Sequence, residues 1–271
     1  MSGFKINFSL KPPEKIVPFG KNRDHISWFG LTDGELWIEV GERTIYEYSD
    51  AAVREWGGVR YNDYYLSRFL EDFSEIFGAL CEPVSKRLYD VVGSFAADAD
   101  EWLGQHYDGS DEDFFRFEDE EYFPLTEWFY RRVFDSGHLT GGPFIGCFRC
   151  GDNVKIYWES DYKLKNGESI WKYPSGIYEL PYAEFTESVR GFLEEFYKEM
   201  DAQTELALQM DWGEVELDKD YLARENVERK SCFDSRLGLL FQPPSDRTGA
   251  ADWNRAEALY DKMKSEINGG I

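Results

Sequence analysis

Residues 144–159 of the chain read FIGCFRCGDNVKIYWE, and this segment contains two alternating runs separated by a turn. The side chains of residues 144–149 fall on two opposite faces with the two-residue period of a β-strand. Gly151-Asp152-Asn153 supplies the residues of a tight turn, and apolar and polar side chains alternate again along residues 154–159. The segment predicts an antiparallel hairpin, with a third strand expected at residues 169–173.

The N-terminal part of the sequence shows the same short period. Apolar side chains occupy every second position of residues 4–10, and Pro12-Pro13 closes this run. Three further β-rich runs, at residues 26–31, 35–40 and 44–48, are separated by dipeptides suited to tight turns. These four segments predict antiparallel strands arranged as a meander.

Longer segments with apolar residues three and four apart, or with strong helix formers, predict helices. They lie at residues 61–80, 88–102, 124–134, 185–200, 219–232 and 252–267. Pro83 separates the first two, which we expect to pack as an antiparallel helical pair. The sequence thus predicts an α+β fold with N-terminal antiparallel strands, central helices, a second antiparallel hairpin and C-terminal helices. We expect residues 1–271 to form a single α+β domain, with 1–135 and 136–271 as the alternative subdivision.

The composition narrows the classes of function. Apolar residues make up 42% and aromatic residues 17% of the 271 residues, which is enough for a packed core. Against 30 Lys and Arg stand 53 Asp and Glu, and a net charge of -23 repels nucleic acid and anionic membranes. The sequence shows neither a secretory signal nor an apolar run that would cross a bilayer. We therefore expect a cytoplasmic protein whose four cysteines are reduced.

The most acidic stretch spans residues 98–121, where Arg116 is the single base. Aromatic side chains interleave with the acidic ones, so the segment can dock on the body of the protein and direct its carboxylates outward. Like charges this dense repel by about 1 kcal/mol per close pair in water, a cost that a basic partner would remove. The predicted partner-binding residues are Asp108, Asp111, Glu112, Asp113, Glu118, Asp119, Glu120 and Glu121, with Trp102 as an aromatic anchor. Trp56 and Trp128 are further candidate anchors.

The motifs predict no catalytic residue, no metal site and no cofactor. Cys147 and Cys150 have the spacing of a zinc site, but positions three apart on a strand face opposite ways. The glycine-rich segment 137–143 lacks the lysine and the following helix of a phosphate loop, so we expect a bend. The acidic run 108–113 does not match the calcium loop of an EF-hand. A structural role is expected for the three widely separated histidines, which are His25, His106 and His138.

Parts of the sequence resemble an uncharacterised bacterial family of cytosolic proteins. The likeness covers about the first 50 residues and the stretch 137–200. It is carried by residues 28–34 (WFGLTDG), 37–41 (WIEVG), His138-Leu139, Gly142-Pro143, 149–152 and Trp158. The resemblance implies an intracellular, single-domain bacterial protein with no catalytic residue to carry over.

Charge and the lack of a legible catalytic motif favour an interaction protein. The leading hypothesis is an immunity protein that neutralises a basic bacterial toxin by direct binding, which would link the resembled family to toxin immunity. One alternative is a small-ligand-binding protein or enzyme with a site near His138. Another is a nucleic-acid mimic that inhibits a nucleic-acid-binding enzyme. We expect neither direct nucleic-acid binding nor membrane binding, and the sequence leaves the oligomeric state open.

Overall fold

The α+β prediction is confirmed by a computed structural model that describes residues 3–107, 112–134, 136–242 and 251–269. The strands are β1 (Phe4–Leu10), β2 (Asp33–Val40), β3 (Arg43–Ile45), β4 (Asn62–Tyr65), β5 (Val133–Phe134), β6 (Phe144–Cys150), β7 (Asn153–Glu159) and β8 (Ser175–Pro181). The α-helices are α1 (Trp28–Leu31), α2 (Asp50–Trp56), α3 (Leu66–Glu75), α4 (Phe77–Leu80), α5 (Lys86–Asp90), α6 (Val92–His106), α7 (Glu112–Phe117), α8 (Phe123–Tyr130), α9 (Tyr182–Gln209), α10 (Lys219–Leu240) and α11 (Trp253–Gly269). A 3-10 helix covers Pro13–Lys15 and a π-helix covers Glu118–Tyr122.

The first sheet is built around β2, which pairs antiparallel with β1, β3 and β4. The predicted strands at 4–10 and 35–40 are confirmed, and the third, at 44–48, is shortened to β3. The strand predicted at 26–31 is wrong, because the Ser27 side chain accepts a hydrogen bond from the backbone N–H of Gly30 and caps α1. A capped helical turn at this point buries Trp28, whose indole N–H donates to Asn226.

The second sheet has the order β5-β6-β7-β8 and contains the predicted hairpin. The strand predicted at 169–173 is wrong, because β8 pairs with β7 instead. Ile170 and Trp171 are both buried, so this segment lacks the alternation of a strand with one exposed face. Trp171 stacks on Tyr48, with ring centroids 4.6 Å apart, and joins the second sheet to the first part of the chain.

In the second sheet, the central strands β6 and β7 are buried on both faces, whereas β8 exposes Ser175, Ile177 and Glu179. One face contributes to a core that also contains the first sheet, α3, α4, α9 and α10. The opposite face packs against α5, α6, α7, α8 and α11 in a second core. Side chains on the first face are Ile145, Cys147, Val154, Ile156 and Trp158, and those on the second are Phe144, Phe148 and Tyr157. The sheet is therefore the wall between two hydrophobic cores.

Three predicted helices differ from the observed ones, and the second of them is divided into α5 and α6. Residues 62–65 of the first form β4 rather than a helical turn, and α8 stops at Tyr130 because residues 133–134 pair with β6. The predicted antiparallel pair is wrong, since α3 and α4 face the first core while α5 and α6 face the second. Helical spacing identifies a buried face but does not say which neighbour covers it. The three C-terminal helices are present and extend beyond their predicted ends.

The two cores do not correspond to the two halves of the sequence. The second core combines residues 84–129 with residues 256–263 and takes Phe148 and Tyr157 from the hairpin. Polypeptide from both halves of the sequence therefore meets in one core. The single-domain organisation stays a prediction.

We expect Phe148→Ala to lower the free energy of unfolding by about 3–5 kcal/mol. The substitution leaves a cavity in the second core, beside a strand that is packed on both faces and cannot move to fill it. Phe115→Ala removes the same atoms from a side chain that is 55% exposed, and should change stability by less than about 1 kcal/mol. Urea unfolding followed by circular dichroism measures both. Equal losses in the two variants would contradict the assignment of Phe148 to a core.

Candidate functional site

Residues 112–121 of the most acidic stretch belong to one helical run in which α7, the π-helix and α8 follow each other without a break. Phe114, Phe117 and Tyr122 are its buried contacts with the second core. Phe117 and Tyr122 are five residues apart, and a π-helix, with hydrogen bonds from i to i+5, brings that spacing onto one face. In a regular α-helix Glu121, four residues after Phe117, would face the core instead. The π-helix therefore keeps four consecutive carboxylates, Glu118–Glu121, out of the apolar interior.

Two phenylalanines of this run point away from the core. Phe115 is 55% exposed and Phe123 is 51% exposed. Four exposed carboxylates lie on α7 and the π-helix. Together with the two phenylalanines they are called the acidic–aromatic surface: Glu112, Asp113, Phe115, Asp119, Glu120 and Phe123. The two phenylalanines therefore add exposed apolar area to a surface that is otherwise negatively charged.

The predicted partner-binding carboxylates differ in their surroundings. Glu118 and Glu121 are half-buried, and Glu121 forms an ion pair with Lys262 of α11. Asp113 pairs with Arg116 within α7. Asp108 and Asp111 lie outside the described residues.

The predicted aromatic anchors are wrong in two of three cases. Trp102 is fully buried, its ring lies edge-on to Phe117 with centroids 4.7 Å apart, and its indole N–H donates to Glu266 Oε2 over 2.6 Å. Trp128 is also buried, and only Trp56 is exposed. Helix spacing predicts the buried position of Trp102, because Trp102 shares a helix face with Phe95 and Ala99, seven and three residues before it.

The exposed phenylalanines could also have been predicted from spacing. Phe114 and Phe117 are three apart and share the buried face, whereas Phe115 is turned about 100° from Phe114 and about 200° from Phe117. Phe115 was therefore the residue of this cluster most directed toward solvent. The π-helix, which sets the direction of Phe123, leaves no comparable signal in the sequence.

A concave site lies beside α3, at the histidine named in the alternative hypothesis. His138 borders a cavity of about 370 Å³, and its Nδ1 is 3.7 Å from Asp72 Oδ2. The imidazole packs against the ring of Tyr64, with centroids 4.9 Å apart. Arg68 also lines the cavity and pairs with Asp72 over 3.2 Å. His138 is a candidate from the sequence, whereas its neighbour Asp72 is not. The two residues are brought together only by the packing of α3 on the loop after β5.

A second cavity of about 250 Å³ adjoins the first across Arg68 and Asp72. Its far wall is α10, where Arg229 pairs with Glu71 over 2.5 Å and Arg236 donates to the Ser74 hydroxyl over 2.7 Å. Charges of both signs therefore line this cleft. Such a cleft suits a small ligand that carries both a cationic and an anionic group, and it does not explain the excess negative charge of the chain.

A third cavity, of about 400 Å³, lies on the side of the second sheet that faces α6 and α8. Its aromatic walls are Tyr130, Phe144 and Tyr162, and its carboxylates are Asp100, Glu159 and Asp161. Burial and the neighbouring Glu159 carboxylate both raise the pKa of Asp100. We call it the aromatic cavity.

The remaining motifs have structural surroundings. Cys147 lies in the first core, where burial raises the pKa of its thiol, while Cys150 lies on the opposite face of β6 as strand geometry predicted. His106 stacks on Phe117 with ring centroids 3.9 Å apart. Over the described residues, no group of three or more His, Cys, Asp or Glu side chains is arranged to hold a metal ion. In the same residues, no helix combines the length and the apolar character that crossing a membrane requires.

Comparison with known proteins gives one match. The model of a family described as Family of unknown function (DUF5984) matches residues 5–259. Searches of curated proteins and of solved structures found no match. The match includes both segments that carried the resemblance in sequence, and it also includes the acidic run between them.

We expect Trp102→Phe to lower the free energy of unfolding by about 1–3 kcal/mol, because the partly buried Glu266 carboxylate loses a hydrogen-bond donor. Trp56→Phe, the same change at an exposed tryptophan, should cost less than about 0.5 kcal/mol. Chemical denaturation of the two variants measures the difference. A fully stable Trp102→Phe protein would show that the indole hydrogen bond contributes nothing to the fold.

Proposed function

Since the chain belongs to this family of unknown function, its own surface has to carry the functional argument, and we propose that it binds a basic protein through the acidic–aromatic surface. The observation that carries the proposal is the pair of half-exposed phenylalanines, Phe115 and Phe123, set among exposed carboxylates on one helical run. Burying one such ring contributes about 1.5–3 kcal/mol, and charges around it speed encounter and select the partner.

The electrostatics of the run support a cationic partner. Six carboxylates of residues 112–121 stand against the single base Arg116. Within residues 112–121, all of which the structure describes, the ion-paired carboxylates are Asp113 and Glu121. The other carboxylates repel one another across the surface, and a cationic partner that covers them removes that repulsion.

The partner we propose is a toxin domain that acts on nucleic acid, which would make this chain an immunity protein. Such domains carry basic grooves that bind phosphates, and an acidic cover over the groove blocks access. We also propose a cytoplasmic location, where the free thiols of all four cysteines are stable. Phe115 and Phe123 favour this function over nucleic-acid mimicry, since a phosphate backbone offers no apolar group for them to imitate.

Reversing three charges of the surface tests the proposal. The triple variant Glu112→Lys, Asp119→Lys and Glu120→Lys should bind the basic toxin-like product of an adjacent reading frame at least about 100-fold more weakly than the unaltered protein at low salt. Affinity of the unaltered protein should fall as salt is raised, because exposed charges are screened. Isothermal titration calorimetry at low and high salt measures both effects.

A matched control carries the same change in net charge on another face. Glu194, Glu195 and Glu199 are exposed residues of α9, and their replacement by lysine should alter affinity only a few-fold. Equal losses of affinity in the two triple variants would show that binding depends on net charge alone and not on the acidic–aromatic surface. No complex at low salt would remove the proposal.

A second candidate function is favoured by the cavity at His138. The imidazole, its Asp72 neighbour and three arginines line two adjoining cavities, an arrangement suited to binding a small zwitterionic ligand. Native mass spectrometry of the purified protein should then show a bound small molecule. We expect Arg68→Ala to release that molecule and Arg43→Ala, at the exposed end of β3, to retain it. A single ligand-free mass for the unaltered protein would remove this candidate.

A further inference from the structure

We infer that the aromatic cavity receives an arginine side chain of the basic partner, an assignment that rests on the proposed function and gives it a specific contact. The cavity lies between α6, the end of α8, the hairpin of β6 and β7, and the loops at residues 141–142 and 160–162. At about 400 Å³ it falls within the roughly 300–1,000 Å³ of sites that enclose small ligands.

The aromatic walls give the cavity its preference for a flat cation. Tyr130 and Tyr162 are 40% and 41% exposed, and Phe144 lies perpendicular to Tyr130 with ring centroids 6.2 Å apart. An aromatic face attracts a cation through its quadrupole, and a guanidinium group stacks on it better than an ammonium group does. Two half-exposed tyrosine rings beside one cavity are therefore an observation independent of the carboxylates.

The loop that closes the cavity is built for one position of Tyr162. Gly141 has φ +63°, and a Cβ there would stand 2.4 Å from Cγ of Tyr162, so a larger residue would displace the ring. The carbonyl oxygen of Gly141 accepts hydrogen bonds from the Trp171 indole over 2.6 Å and from the Ser160 hydroxyl over 2.9 Å. The wall is thus held in place before any ligand arrives, which lowers the entropy cost of binding.

The charge of the cavity has one sign. Asp100, Glu159 and Asp161 line it, and no Lys or Arg is found among its described lining residues. Burial raises the pKa of Asp100, and the negative charge of Glu159 raises it further. A guanidinium group would offset these negative charges and offers paired N–H donors to a carboxylate. The three carboxylates are not arranged to hold a metal ion, so an organic cation fits better.

The cavity also connects with the acidic–aromatic surface. Burial, Tyr130 and the charges of Asp100 and Glu118 all raise the pKa of Tyr122 in the π-helix. The ring of Tyr122 lies 5.8 Å from that of Phe123, centroid to centroid. A partner that covers Phe123 can therefore place an arginine into the cavity without leaving the same face of the protein.

A small guanidinium compound tests the cavity without the partner. Propylguanidinium should shift the amide resonances of residues 100, 130, 141, 142 and 162 in an NMR titration, whereas neutral propylurea of the same shape should not. The variant Asp100→Asn with Glu159→Gln keeps the shape and should weaken binding about tenfold or more. Glu101→Gln, one residue away on α6 and exposed, is the matched control and should leave affinity unchanged.

Binding measurements with the partner test this inference separately from the proposed function. If the cavity receives an arginine of the partner, the double variant Asp100→Asn and Glu159→Gln should weaken the complex about tenfold while Glu101→Gln does not. Equal binding of the partner by the double variant and the unaltered protein would overturn the assignment and leave the proposed function standing. The assignment also fails if propylguanidinium and propylurea give the same shifts, or if neither gives any.

Discussion

The burial of β6 and β7, the central strands of the second sheet, on both faces is the constraint on which the rest of the structure depends. A strand with one wet face can alternate apolar and polar side chains, but β6 and β7 have to offer apolar groups in both directions. Ile145 and Ile156 meet the first core, while Phe148 and Tyr157 meet the second. A polar residue at any of these positions would be buried without water on either side, at a cost of several kcal/mol unless it found a partner.

This wall positions both parts of the proposed binding face. Phe129 of α8 packs on Phe148 and Phe144 of β6, with ring centroids 4.9 Å and 5.8 Å apart. The helical run that carries the carboxylates is thereby fixed to the sheet from its C-terminal end. Tyr130 follows directly and becomes a wall of the aromatic cavity, whose opposite wall includes Phe144 and Glu159 of the same hairpin. Surface and cavity are consequences of one packing contact.

Sequence reasoning succeeded where the deciding interaction is local. The hairpin at residues 144–159 follows from alternation around a three-residue turn signal, and α9 follows from spacing within a single helix. It failed where the choice depends on distant residues. β8 exposes apolar Ile177 as well as polar Ser175 and Glu179, so it gives little periodic signal. The contact between His138 and Asp72 arises only from the packing of separate elements. Helix spacing predicts the buried position of Trp102, whereas residue type alone wrongly suggests an exposed anchor.

The positions of the Lys and Arg residues determine which carboxylates of the helical run stay unpaired at the surface. Several Lys and Arg residues are engaged at the seam between α11 and its neighbours, where Lys264 pairs with Asp98 over 3.0 Å and Lys262 pairs with Glu121. These pairs join α11 to α6 and to the π-helix and so help to assemble the second core. Because the paired charges neutralise each other, they add little to the electrostatic field around the protein. Exposed ion pairs contribute only about 0–1 kcal/mol each, but they neutralise the acids nearest the seam. The carboxylates left without such pairs in the described run are Glu112, Glu118, Asp119 and Glu120. The negative field therefore acts outward from the part of the run where Phe115 and Phe123 are exposed. Charge and apolar area lie side by side there, as the proposed binding of a cationic protein requires.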